Sequence, residues 1–220
     1  MDIAEKLYLL KSELPENVRL LAVSKFHSEE DVMEAYRAGQ RIFGENHVQE
    51  LLPKQEHLPK DIEWHFIGHL QANKVKYIAP FIHTIQTIDS LKLADTVNKE
   101  AGKWNRKLRV FLQIHIAREE QKFGFSYDEA EELLKNAAFH FMTNLEIAGL
   151  MGMATLTDDR TQIRNEFRGL HCFFNRIKAD YFVNNDSFNE LSIGMSDDYP
   201  IAVEEGSSMI RIGSKLFGSR

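Results

Sequence analysis

Arg19-Leu20-Leu21-Ala22-Val23-Ser24, Ser28-Glu29-Glu30-Asp31, Gly39 and Arg41-Ile42-Phe43-Gly44 follow one another within residues 19–44, and their order decides the fold. The first group is a short apolar run of strand length. Ser28 with an acidic residue three positions on has the pattern of a helix-opening capping box. Gly39 suits the helix stop, where a glycine takes up left-handed backbone without penalty. The last group is the next strand. The stretch is one strand-then-helix unit.

The unit repeats along the chain. After Arg19–Ser24, further strand-length runs are Arg41–Gly44, Glu63–Ile67, Phe81–Thr87, Leu108–Ile116, Leu145–Met151, Glu190–Ile193 and Met209–Ile212. Helical periodicity fills the intervals. Ser126 with Glu129 repeats the capping box. Asp89-Ser90 opens a helix whose apolar face carries Leu93, Ala94, Val97 and Ala101, with Gly102 after it. Asp197 and Asp198 place negative charge at another helix start, where the dipole favours it. An extra helix, Ile3 to Leu14, precedes the first strand.

Unbroken alternation makes the strands parallel, because each crossover helix returns the chain to the same end of the sheet. Eight such units close a TIM-type barrel. The expected fold is therefore α/β: a single-domain (β/α)8 barrel over residues 1–220 with an extra N-terminal helix. An open doubly wound sheet is the alternative. It is disfavoured by the strand count and by the lack of a Gly-x-Gly-x-x-Gly turn after the first strand.

Composition agrees with one soluble core of that size: 43% of the 220 residues are hydrophobic and 27% charged. The net charge of -6, from 27 basic and 33 acidic side chains, argues against nucleic acid and anionic membrane as partners. A small anion stays compatible, since local dipoles outweigh a weak global charge. The lone Cys172 excludes an intrachain disulfide, and within the apolar helical stretch His171–Phe174 it is expected to be a small buried hydrophobe. The N-terminus lacks a signal-peptide pattern, and no apolar run reaches membrane-spanning length. A cytoplasmic location is expected by elimination.

In such a barrel, function sits at the C-terminal ends of the strands. Those ends hold Ser24-Lys25, Glu45-Asn46, Gly68-His69, Thr87 with Asp89, His115, Met151-Gly152-Met153, Gly194-Met195-Ser196, and Arg211 with Gly213-Ser214. Gly194-Met195-Ser196 and Gly213-Ser214-Lys215 read as plain turns when taken singly. As a pair after strands seven and eight they read as a phosphate cup, because unpaired N–H groups at such turns donate to an anion. Closure places Lys25 beside that cup. It is then either a counter-charge or an amine that condenses with an aldehyde. Its stem leaves an apolar wall, which would desolvate the amine. Arg211, between Ile210 and Ile212, must point into the barrel or among the helices, and if buried needs a partner. That partner is an internal acid or a cofactor's ring nitrogen, a known arrangement in pyridoxal 5'-phosphate (PLP) sites. Cup, amine and ring partner together describe PLP.

Other constellations carry less. His65 and His69 flank a strand end and read as a packed or hydrogen-bonded histidine pair. His115 with Glu119 and Glu120 lacks a third metal ligand. Glu129–Glu132 reads as a solvated helix face, and Phe139, Phe141, Phe173 and Phe174 as packing residues.

Several blocks carry a resemblance: Ala22-Val23-Ser24-Lys25, Phe43-Gly44-Glu45-Asn46, Trp64-His65-Phe66-Ile67-Gly68-His69, Leu191-Ser192-Ile193-Gly194-Met195-Ser196-Asp197-Asp198, and Arg211-Ile212-Gly213. From near residue 19 onward the sequence resembles the YggS-type PLP homeostasis protein family, itself similar to the N-terminal barrel of alanine racemase. The resemblance implies a PLP carrier or buffer. Lys25 would hold PLP as a Schiff base, and Arg211 would face the pyridine nitrogen. Ser196, Gly213 and Ser214 would hold the phosphate with Met195 nearby, and Asn46 would lie close to the ring. The resemblance implies apo forms of PLP enzymes as partners. Three positions depart from the family pattern. His47 stands where tyrosine or arginine is frequent, and Ser208 and Ser214 stand where threonine is common. The chain read here stops just after strand eight, so the racemase domain that supplies a tyrosine acid/base is not expected. The competing readings are a racemase-like enzyme, with His69 or a partner's residue opposite Lys25, and a phosphate-binding barrel with Lys25 as plain counter-charge.

Overall fold

The computed structural model describes residues 1–119 and 123–218. In chain order the elements are α1 (Ile3–Glu13), β1 (Arg19–Val23), α2 (Glu29–Arg37), β2 (Ile42–Glu45), α3 (Val48–His57), β3 (Glu63–Phe66), α4 (Val75–Ile78), β4 (Thr84–Ile88), α5 (Leu91–Lys103), β5 (Leu108–Ile114), α6 (Tyr127–Lys135), α7 (Ala137–His140), β6 (Leu145–Gly152), α8 (Arg160–Tyr181), β7 (Glu190–Ser192), α9 (Tyr199–Glu204), β8 (Met209–Ile212) and α10 (Ser214–Phe217). The eight strands close in sequence order, and every neighbouring pair is parallel, β1 with β8 included. This is the expected (β/α)8 barrel with its extra N-terminal helix, and the open sheet is excluded.

Local chemistry explains the helix starts. Ser28 and Ser126 each accept from the N–H three residues on, and Asp31 and Glu129 reach back to complete the boxes. Ser90 accepts from Leu93 N–H to open α5. Gly39 takes φ +92 just beyond α2, as a stop requires. Gly102 does not stop α5, which runs on to Lys103. Asn105, at φ +51, supplies the left-handed residue instead, a role asparagine tolerates.

Strand ends differ from the sequence reading where another partner takes the backbone. Phe81 and Ile82 N–H groups both donate to Ile78 O, so β4 begins only at Thr84. His115 N–H donates to Phe125 O and Phe125 N–H to Gln113 O, which draws the chain away from the ladder and ends β5 at Ile114.

Successive strand residues alternate between two cores. Leu21, Val23, Phe111, Ala148, Met151 and Met209 pack together inside the barrel. Leu20, Ala22, Phe43, Trp64, Phe66, Val110 and Leu112 face outward and join the helices in the larger core. Two packing expectations fail. Cys172 is exposed, because on α8 the neighbouring Leu170, Phe173, Phe174 and Ile177 form the inward stripe and leave it on the outer face. Phe141 is 80% exposed on the turn after α7, whereas Phe139, Phe173 and Phe174 are buried. No described helix is long and apolar enough to cross a membrane.

Candidate functional site

At the end of β1 the ladder continues one residue past the strand, with Ser24 N–H donating to Gly44 O at 3.0 Å. The chain then turns sharply. Phe26 adopts φ +66, unusual for a residue with a Cβ, and its N–H donates to Glu50 Oε2 at 2.7 Å. Lys25 is half-buried at this turn. Its floor is a buried polar knot: Ser24 Oγ donates to Glu45 Oε1 at 2.7 Å, and Lys54 Nζ donates at 2.7 Å to both Ser24 O and Glu45 Oε1. Burial pushes the Glu45 carboxyl above its ordinary range, and Lys54 opposes that shift. The sequence reading singled out Glu45 but missed Lys54. In sequence it is one more lysine in the last turn of an amphipathic helix, and nothing in its spacing separates it from a solvated charge.

Beside Glu45, Asn46 is fixed by close backbone contact. A Cβ at Gly68 would lie 2.3 Å from Asn46 O, so only glycine lets β3's exit pass over it. Asn46 Oδ1 is buried with no hydrogen-bond partner among the described residues.

Register brings the other half of the site round to Lys25. Ala22 on β1 pairs with Ile212 on β8, so Lys25 and Gly213-Ser214 leave the sheet at the same rim. Arg211 is buried and points inward. Its Nη1 donates to Ser192 O at 2.7 Å and Oγ at 2.8 Å, and its Nη2 to Gly152 O at 2.9 Å. A guanidinium has five N–H donors, so two are left without an acceptor among the described residues. Burial pulls Arg211 down to about 10 while the Asp198 charge opposes this, and the group keeps its proton at neutral pH. The internal acid allowed for as its partner is thus present only at a distance, as a field.

Asp198 precedes α9, yet its side chain caps no helix. Oδ1 instead accepts from Met195 N–H at 2.6 Å and ties down the turn Gly194-Met195-Ser196. Gly194 takes φ +94, and a Cβ there would sit 2.6 Å from Ala202 Cβ, so the turn packs directly on α9. Ser196 is buried, Met195 is 37% exposed, and Gly213 caps the short α10 that Ser214 begins.

A cavity of about 460 Å³ joins these parts. Lys25, Asn46, Met195, Ser196, Arg211, Gly213 and Ser214 all line it, so the structure brings together every residue that the sequence reading gave to the cofactor. Val23, His27, Ile67, Met153, Asp197 and Gly218 complete the wall. Met153 was read as a strand-end residue, and Val23, Ile67 and Asp197 lie in the quoted blocks without a site role assigned to them; His27 and Gly218 were not singled out.

The remaining candidates lie elsewhere. His69 is not in the cavity wall. Its Nδ1 contacts Asp89 Oδ2 at 3.1 Å, and its ring stacks on Phe123 at 3.8 Å. The expected His65–His69 pair does not form, because β3 sends His65 into the barrel while His69 follows the strand. His65 instead stacks on His83, and burial holds both imidazoles below their usual range. His115 Nε2 contacts Glu119 O rather than a shared metal position, and Glu120 lies outside the described residues. His47 is exposed against Phe26 and does not line the cavity.

The sequence profile described as the N-terminal domain of alanine racemase matches residues 2–220. A relative from Schizosaccharomyces pombe, named pyridoxal phosphate homeostasis protein, is 40% identical over 207 residues, covering 93% of this chain and 85% of its own. The chain belongs to the pyridoxal phosphate homeostasis protein family. The human member is 41% identical over 215 residues, which is 92% of this chain and 76% of that one. The same barrel recurs in the family member PipY of Synechococcus elongatus, solved with PLP bound: TM-score 0.90, 36% identity, 99% of this chain and 100% of that one. Alanine racemase from Bartonella henselae shares the fold alone, at TM-score 0.70 and 17% identity, with 99% of this chain matched to 62% of that one. The family resemblance read from the strand-end blocks is therefore established.

Proposed function

We propose that this chain binds PLP in the cavity at the C-terminal rim and acts in PLP homeostasis as a carrier or buffer. The observation that carries the reading is that Lys25, Arg211 and the two serine turns border one cavity of about 460 Å³. The residues fit the cofactor. Ser196 and Ser214 offer hydroxyls, and the start of α10 offers N–H groups to a phosphate with Gly213 and Met195 alongside. Arg211 has donors to spare for a ring nitrogen, and Asn46 borders the ring's place. PLP supplies an aldehyde that a lysine amine captures covalently, and Lys25 is the lysine in the wall.

The wall supports holding the cofactor over transforming substrates. Arg211 keeps its proton, so a ring nitrogen facing it can only accept and the ring stays a weak electron sink. No tyrosine lines the cavity among the described residues, and His69, the acid/base a racemase reading would use, is engaged with Asp89 and Phe123 outside it. Apo PLP enzymes are the recipients this role implies. A cytoplasmic location goes with it, and the exposed thiol of Cys172 suits a reducing compartment.

Titration with PLP followed by borohydride and peptide mapping tests the proposal. A visible band on mixing and an adduct on Lys25 are expected. No adduct, or one on another lysine, overturns the assignment. Solvent deuterium exchange at Cα of amino acids no faster than with PLP alone is the result expected of a carrier.

A further inference from the structure

The opposite, N-terminal mouth of the barrel holds a second group of chemistry-bearing side chains. Glu63 and His65 lie on the same face of β3, and His83 immediately precedes β4, beside them through the pairing of His65 with Thr84. One ligand-capable atom from each lies within 4.8 Å of the others. His83 Nε2 is 3.8 Å from Glu63 Oε2, and the His65 and His83 rings are stacked 5.5 Å apart at 9°.

His65 adds an independent observation. It is 1% exposed, its Nδ1 lies 2.9 Å from Gln86 Nε2, and its Nε2 is buried with no hydrogen-bond partner among the described residues. A buried polar atom left without a partner is costly. Glu63 and His83 border a cavity of about 450 Å³ whose wall also carries Arg19, Arg106, Lys107 and Arg109 against Glu146 and Glu190. Arg19 pairs with Glu190, and Arg109 with Glu146 and Glu190. Arg106 donates to the carbonyls of Ala79 and Ile82, and Glu63 is the carboxylate that faces His83 at 3.8 Å.

We propose that Glu63, His65 and His83 form a binding site for a divalent cation of the zinc class, distinct from the rim cavity and independent of what that cavity binds. Two imidazole nitrogens and one carboxylate oxygen are a donor set that zinc favours, with water completing the tetrahedron. Zinc takes donors about 2.0–2.2 Å from the metal, hence about 3.4 Å from one another in a tetrahedron, and these atoms lie within 4.8 Å of one another. Glu63 and His83 side chains are 39% and 42% exposed and able to swing in, while the buried His65 stays as the fixed point. His83 Nδ1 contacts Thr84 Oγ1 at 2.9 Å, an arrangement in which the ring donates there and keeps its Nε2 lone pair outward.

The core sets one condition. Arg211 donates to Ser192 Oγ and Ser192 Oγ to Gln86 Oε1, so the Gln86 amide presents its NH₂ to His65 Nδ1. Nε2 then carries the ring proton. Metal binding moves that proton to Nδ1 and turns the Gln86 amide over so that its oxygen accepts it. The imidazole changes tautomer, and no proton is lost from the protein.

Isothermal titration of the full chain with Zn²⁺, and the visible d–d band of added Co²⁺, test the site. One equivalent bound, with a tetrahedral Co²⁺ band, is expected. His83→Ala and Glu63→Gln, both at partly exposed positions that the fold tolerates, should each weaken binding at least about tenfold, in line with the sensitivity of metal sites to lost ligands. Cys172→Ser should leave it unchanged. Absence of binding overturns the proposal, as does an affinity unaltered in both ligand variants or abolished by Cys172→Ser. Borohydride labelling of Lys25 is scored separately, so failure of either site leaves the other standing.

Discussion

Lys54 Nζ on α3 donates to Glu45 Oε1 at the end of β2 at 2.7 Å, and both side chains are buried. The same ammonium donates to the carbonyl of Ser24, one residue before Lys25. A helix side chain on the outer face of the barrel thus fixes the turn that presents the site lysine, and a charge pair out of water is what holds it there.

Lys54→Met should cost about 3–5 kcal/mol in urea denaturation, the usual penalty for leaving one buried charge of a pair alone. The double variant Glu45→Gln/Lys54→Met should recover part of that loss. The pH dependence follows from Glu45. Burial already raises its folded-state pKa, and removing Lys54 raises it further while the unfolded value stays put. The folded state then binds the proton more tightly. The variant's deficit should be small below the unfolded carboxylate range and grow as pH rises toward the folded value.

Arg211→Gln should retain the fold's outline but weaken PLP binding about tenfold to a hundredfold, the worth of a charge-assisted hydrogen bond of about 1.5–3 kcal/mol. The visible band of the bound cofactor should shift as well, because the ring nitrogen loses the cation that keeps it unprotonated. Spectral titration reads both effects.

Ser196→Ala and Ser214→Ala should each weaken PLP about five- to tenfold, one neutral hydrogen bond of about 1 kcal/mol apiece, with melting temperature unchanged. The loss should disappear when pyridoxal replaces PLP in the titration, since pyridoxal has no phosphate for the turns to hold.

Gly194→Ala should destabilise the chain by about 1–3 kcal/mol, the cost of a Cβ in left-handed backbone, compounded by the contact with Ala202. Thermal melts measure it. PLP affinity should fall as well, because the same turn carries Met195 and Ser196.

Much of this arrangement was legible before any coordinates. The capping boxes at Ser28 and Ser126 are local chemistry, and the structure forms them as read. The rim residues were legible because barrel closure fixes where strand ends meet. Lys54 was not, since its direction depends on where α3 lies against β2. Nor was the parting of His65 from His69. In a strand, a step of one residue reverses the side chain, and where β3 ends depends on what β2 and β4 offer it. Cys172 and Phe141 were misread because a local apolar neighbourhood does not say which face of a helix meets the barrel.

The sequence by itself determined the alternation of strand and helix, the closed parallel barrel and the set of residues at its C-terminal rim. These follow from periodicity and backbone preference, which act between residues close in the chain. Only the tertiary structure decided which long side chains turn inward, how Glu45 and Lys54 neutralise one another behind Lys25, and how Glu63, His65 and His83 converge at the far mouth. Those outcomes depend on distances between residues remote in sequence, and burial gives such distances their energetic weight.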